Sequence, residues 1–136
     1  MAVEITGVYE GELKVRVAHG PSKASFVTEA PADNGGKGQS FSPTDLVATA
    51  LGSCMLTIMG IVAERDGIPL RGARVRVEKH MSLEPRRIGR LPVVFDMPAG
   101  LTPEQRRKLE AAANGCPVKR SLHPDVDHPV TFNYPD

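Results

Sequence analysis

The chain has no tryptophan, and only two tyrosines and four phenylalanines among its 136 residues. A platform that binds single-stranded nucleic acid by stacking bases on rings cannot be built from so few aromatics. An excess of one charge is also lacking. Seventeen basic and sixteen acidic side chains leave a net charge of +1, so no broad field draws the chain to nucleic acid or to an anionic membrane. Cysteine is scarce: Cys54 and Cys116 stand sixty-two residues apart. That spacing excludes a Cys-x-x-Cys redox motif and a zinc knuckle. Cys116, His123 and His128 lack zinc-ligand spacing and have no clear fourth partner, so no metal and no cofactor is expected. Neither a Gly-x-Ser-x-Gly elbow nor a His-Glu-x-x-His motif is present, which removes two common hydrolase designs. Met1-Ala2-Val3-Glu4 is not a basic segment leading into an apolar run. With two cysteines and no such leader, a reducing, cytoplasmic setting is expected.

The chain does contain one long apolar stretch with both ends marked, Ser42 to Pro69. Ser42 can cap a helix, Pro43 suits its first position, and Asp45 can reach back to the cap while opposing the helix dipole. Gly67 can take the left-handed stop conformation and Pro69 blocks continuation. Between them, Leu46, Val47, Leu51, Met55, Leu56, Ile58, Met59, Ile61 and Val62 point in all directions around the helix. Such a helix needs cover on every side. Its polar interruptions Thr49, Ser53 and Thr57 and its glycines favour a core helix over a membrane span. One thin sheet is too little cover, so a dimer is expected as the minimal folded unit.

The flanking sequence predicts strands. Val3–Tyr9 and Leu13–Ala18 read as a hairpin turning at Glu10-Gly11, with Leu13, Val15 and Val17 alternating against polar neighbours. Ser25–Glu29 reads as a third strand. Residues 30–41 form a loop containing Gly35, Gly36 and Gly38. It is not a phosphate cradle, because Lys37 is followed by Gly38 and not by Ser or Thr. A mobile loop at a pocket mouth fits better. After the long helix, Ala73–His80 alternates again, and Ile88–Met97 reads as one strand near an edge because of Pro92. Seven arginines from Arg65 to Arg90 fit a solvated sheet face. Thr102-Pro103-Glu104-Gln105 is a second capping box and opens a helix with Leu109, Ala112 and Ala113 inside. Asn114-Gly115 ends it. Cys116 then caps a short helix opened by Pro117, and Val130–Tyr134 makes the last strand. Residues 1–136 thus read as a single α+β domain.

Chemistry points to the two sulfurs. A lone cysteine in a buried helix is usually a small hydrophobe, which is the plain reading of Cys54. Cys116 has the better local case for a thiolate, since a helix N-terminus and the nearby Lys119 and Arg120 would stabilise one.

The segments Ser42-Pro43-Thr44-Asp45-Leu46, Ala50-Leu51-Gly52-Ser53-Cys54 and Asn114-Gly115-Cys116-Pro117-Val118 resemble the OsmC/Ohr family of osmotically inducible and organic-hydroperoxide-resistance proteins. The resemblance covers nearly the whole chain. It implies an OsmC-like fold, with antiparallel sheets wrapped around long central helices in an intertwined homodimer whose two active sites lie at the subunit interface. It also implies a peroxidase acting on organic hydroperoxides, and on hydrogen peroxide as a further substrate. Cys54 would be the peroxidatic and Cys116 the resolving thiol, passing through a sulfenic acid and a disulfide. An external dithiol such as a lipoyl protein would restore both. Members of the Ohr branch carry a Glu after the helix-opening Pro and an Arg from the N-terminal region. This sequence has Thr44 at the first place, with Asp45 next to it, and no Arg at the second. His19 and Lys37 are nearby candidates to activate the thiolate. The departure places the chain in the broader OsmC-like branch. It also keeps open an alternative: a dimer that binds a small apolar ligand and has weak or no peroxidase activity.

Overall fold

The computed structural model describes residues 1–135. The chain forms two compact units, one from Met1 to Leu46 and one from Val47 onward.

The first unit is a three-stranded antiparallel sheet, β1 (Ile5–Gly11), β2 (Lys14–His19) and β3 (Ser25–Glu29), with β2 in the centre. The predicted hairpin forms, but its turn lies later than Glu10-Gly11. Glu12 and Leu13 make the loop, both with positive φ, and Gly11 opposite Lys14 absorbs a bulge. The reason is register. Pairing Tyr9 with Val15 and Val8 with Arg16 keeps the alternation of β2 intact, and a one-residue slip would reverse it.

The second unit begins within α1 (Pro43–Asp66), whose first turn belongs to the first unit. The helix ends as its sequence predicts. Gly67 has φ +65°, and Ile68 N–H donates to Ala63 O at 2.9 Å, closing the last turn. Next come β4 (Arg74–Val77), the hairpin of β5 (His80–Leu83) and β6 (Arg86–Arg90), and β7 (Val93–Asp96). α2 (Pro103–Asn114), α3 (Pro117–Ser121) and β8 (Val130–Asn133) complete it. β7 is central, antiparallel to β4 and parallel to β8.

Two predicted strands are each broken. Ala73–His80 gives only β4 before the chain leaves the sheet at Glu78, whose N–H donates to Pro92 O at 3.1 Å. Ile88–Met97 splits at Leu91-Pro92, because proline has no N–H for the ladder. The segments on either side then pair with different partners, β6 with β5 and β7 with β4.

The core of this unit lies between α1, β7 and α2. Leu51, Met55, Met59, Leu91, Phe95 and Leu109 are fully buried, and Phe95 stacks on Phe132 with centroids 5.1 Å apart. Gly52 sets how closely α1 approaches β4, since a Cβ there would sit 2.7 Å from Val77 Cγ2 and 3.2 Å from Val75 Cγ2. On the other side of β4, Arg76 pairs with Asp96, which also accepts from Asn133 Nδ2 at 3.2 Å. At these positions the arginines are a solvated, paired face, as expected.

Burial of α1 departs from the all-round cover expected of it. Ala48, Leu51, Gly52, Met55, Met59 and Ala63 are buried, whereas Ile61 is 57% exposed. By length and composition α1 could cross a membrane, and only 33% of its apolar stretch is buried. One chain supplies layers for one face of this helix and leaves the opposite face open.

Candidate active site

Cys54 sits in the third turn of α1, half-buried, and packs against the core. The approach of α1 to β4 through Gly52 fixes how deeply it is set. Cys116 arrives from the other side of the unit. The capping box of α2 is formed as predicted, with Gln105 N–H donating to Thr102 Oγ1 at 3.1 Å and Thr102 N–H to Gln105 Oε1 at 3.0 Å. At its far end Gly115 N–H and Cys116 N–H close onto Ala112 O and Ala113 O. The chain then leaves the helix and Pro117 starts α3. Cys116 is the cap residue of α3, fully buried, and its Sγ accepts the Lys119 N–H at 3.2 Å. Both thiols are free of disulfide, and the Cys54 side chain is near enough to Cys116 to raise its pKa. Residues far apart in sequence thus become neighbours in the fold.

The electrostatics reverse one expectation. The cap position of Cys116 argues for a thiolate there, but its pKa is raised. Burial is the largest cause and penalises the charged form; the neighbouring Cys54 raises it further, and the backbone N–H of Lys119 only partly opposes them. The Lys119 ammonium is held by Asn114 Oδ1 at 2.7 Å. A five-residue helix offers too weak a field to offset a fully buried thiol. Burial therefore favours Cys116 as the neutral thiol.

The four proposed activating residues all belong to the first unit. Asp45 caps α1: its Oδ2 accepts the Ser42 N–H at 2.9 Å, and its own N–H donates to Ser42 Oγ at 3.1 Å. Thr44 Oγ1 and Ser42 Oγ lie 3.2 Å apart. His19 Nδ1 shares a hydrogen bond with Ser22 Oγ at 2.6 Å in the turn after β2. Lys37 N–H donates to Glu29 Oε2 at 2.6 Å. Sequence reasoning missed Glu29, a carboxylate only 2% exposed that anchors the glycine loop. In that loop a Cβ on Gly36 would fall 1.6 Å from Ala30 O, so the backbone itself demands glycine. The signal for Glu29 was an acidic residue ending a strand directly before a Pro- and Gly-rich loop.

The histidines take no part in a metal cluster among the described residues. His123 Nδ1 accepts the Asp125 N–H at 3.0 Å, within a surface group that includes Arg87.

The family model described as OsmC-like protein matches residues 36–130. No curated protein matches the chain. Among solved structures, a protein of Psychrobacter arcticus 273-4, provisionally named as an osmotic stress induced and detoxification response protein, is 38% identical. It superposes with a TM-score of 0.90 over 95% of this chain and 94% of its own. An organic hydroperoxide resistance protein OsmC of Legionella pneumophila is 20% identical, with a TM-score of 0.74 over 98% and 97%. The organic hydroperoxide resistance protein OhrB of Bacillus subtilis is 18% identical, with a TM-score of 0.69 over 98% of both chains. These two share the fold.

Proposed function

Because this chain belongs to the OsmC-like protein family, we propose that it is a cysteine-based peroxidase that reduces organic hydroperoxides in the defence against peroxide stress. The observation that carries this reading is that a half-buried and a fully buried thiol, far apart in sequence, are neighbours in the fold. Cys54, the accessible partner, attacks the O–O bond as its thiolate and takes one oxygen. The alcohol leaves, and Cys54 is oxidised to a sulfenic acid. Cys116 then attacks the Cys54 sulfur; water leaves and a disulfide forms. A dithiol reductant supplies two electrons and returns both thiols. The sum is one hydroperoxide and one dithiol converted to alcohol, water and a disulfide. Half-buried Ile58, one turn beyond Cys54 on the same helix, suits an organic peroxide better than a polar one. The names of the Legionella and Bacillus proteins point the same way.

We further propose a homodimer. The open face of α1 carries Ala50, Ser53, Thr57 and Ile61, small enough at most positions for a second helix to approach closely. A thiolate at Cys54 needs a cation beside it; Asp45 caps α1, and the candidates for that cation are His19, Lys37 and a basic residue of a second copy of the chain.

The test is consumption of cumene hydroperoxide by the pure protein with dihydrolipoamide. Sustained turnover supports the proposal; consumption no faster than the protein-free control refutes it. A second reading has one observation in its favour. An apolar cavity of about 590 Å³ is lined by Leu56, Ala63, Ile68 and Leu70, with Glu64 and Arg71 at its polar positions. It contains neither cysteine, and a small apolar ligand would fit it. Saturable binding of an apolar dye together with no peroxidase activity would favour that reading.

A further inference from the structure

We propose that the external thiol that resets the protein attacks the disulfide at Cys54 Sγ and expels Cys116, because Cys54 keeps part of its surface exposed and Cys116 keeps none. This rests on the peroxidase reading above and names where its reductant enters.

Thiol–disulfide exchange is a displacement in line with the S–S bond. The attacking thiolate must reach the far side of the sulfur it attacks, so access selects the target. Cys116 has no exposed surface and belongs to the core, beside Leu109 and Ala113. A nucleophile aimed at Cys116 Sγ would have to displace that packing. Cys54, by contrast, is only half-buried on α1.

Leaving-group acidity works in the opposite direction. Burial makes Cys116 a reluctant thiolate, and a more basic thiol departs more slowly. That effect is graded, whereas lack of access closes the alternative route. The departing Cys116 Sγ also keeps the Lys119 N–H, 3.2 Å away in the reduced protein, as a fixed donor for the charge it acquires. In the step itself, a reductant thiolate bonds to Cys54 Sγ and the S–S bond breaks. Cys116 leaves with the electron pair and takes a proton. The second thiol of the reductant then attacks the reductant sulfur of the mixed disulfide and releases Cys54, so the reductant carries away its own disulfide and the protein gains two electrons.

The experiment maps the mixed disulfide on the wild-type protein. The protein is oxidised with diamide in one arm and with cumene hydroperoxide in the other. It is then exposed briefly to 2-mercaptoethanol, quenched in acid, unfolded and alkylated. Peptide masses locate the mercaptoethanol adduct and the alkyl group. The expected result is the adduct on Cys54 and the alkyl group on Cys116, in excess over the reverse by about tenfold or more, since access and not thiol basicity decides. An adduct chiefly on Cys116, or equally on both, overturns the proposal, as does failure of diamide to form the Cys54–Cys116 disulfide. If diamide forms that disulfide and hydroperoxide does not, the peroxidase reading fails, and the diamide arm still reports which sulfur is attacked.

Discussion

Cys54 and Cys116 bear the same side chain and are neighbours in the fold, yet their surroundings differ in exposure and in the helix that holds them. Cys54 lies in the middle of a 24-residue helix, where the backbone amides are already paired. Cys116 lies at the start of a five-residue helix and receives a backbone N–H on its sulfur. One is half-buried and the other has no exposed surface. Local sequence favours Cys116 as the thiolate, whereas burial favours it as the thiol. The comparison teaches that a favourable cap is a small effect beside the cost of charging a sulfur inside a core. On the proposed peroxidase reading, the more accessible sulfur meets peroxide and reductant, and the buried one closes the disulfide.

The largest expected effects come from removing one sulfur at a time. Cys54→Ser should reduce hydroperoxide consumption with dihydrolipoamide to the protein-free rate. Cys116→Ser should still consume a first equivalent of peroxide in a burst, then lose sustained turnover. Equal behaviour of the two variants in rapid-mixing assays would break the comparison. Gly52→Val disturbs the seat of Cys54 alone, since it drives a branched side chain into Val77. Overpacking of this kind should cost about 3 kcal/mol in urea denaturation, and an unchanged midpoint would show that α1 can move off β4 freely. Thr102→Ala acts on the helix that delivers Cys116. Losing the formed capping box should cost about 1 kcal/mol, read from the same denaturation curves.

The smallest effect concerns the tie between the two halves of the site. Asp66 at the end of α1 accepts from Arg65 Nε at 3.1 Å and pairs with Lys108 Nζ of α2 at 2.6 Å. The Arg65 hydrogen bond, followed by that of Lys108, lowers its pKa from 3.8 to about 2. A lowered carboxylate pKa stabilises the folded state above the unfolded value and loses that contribution as pH falls through the folded one. Acid titration should therefore show stability declining between about pH 4 and about pH 2, with a shallower decline in Asp66→Asn. Identical curves would mean that the exposed pair contributes nothing.

Much of this was legible in the sequence because local chemistry decided it. Ser42, Asp45, Gly67, Thr102 and Gln105 are caps whose partners lie within four residues, and each acts as its pattern indicates. What was not legible depends on residues distant in the chain. Pro92 signals an edge or a bulge, but only the pairing of β6 with β5 and β7 with β4 shows that it ends one sheet and begins another. Full cover of α1 was expected from its composition, but how many sides one chain can cover depends on the layers it has, and here burial falls on one face. The reversal at Cys116 has the same origin. Its cap is local and visible, while the burial that outweighs it comes from the packing of the whole unit.

The central claim, that burial holds Cys116 as the neutral thiol while Cys54 is the accessible sulfur, is tested most directly by alkylating the reduced protein with iodoacetamide across a range of pH. Modification of each cysteine is followed separately by peptide mass. The account predicts that Cys54 is modified ahead of Cys116 at neutral pH, and that the midpoint for Cys116 lies above that of an unfolded cysteine. Modification of Cys116 first, with a midpoint below the unfolded value, would contradict it.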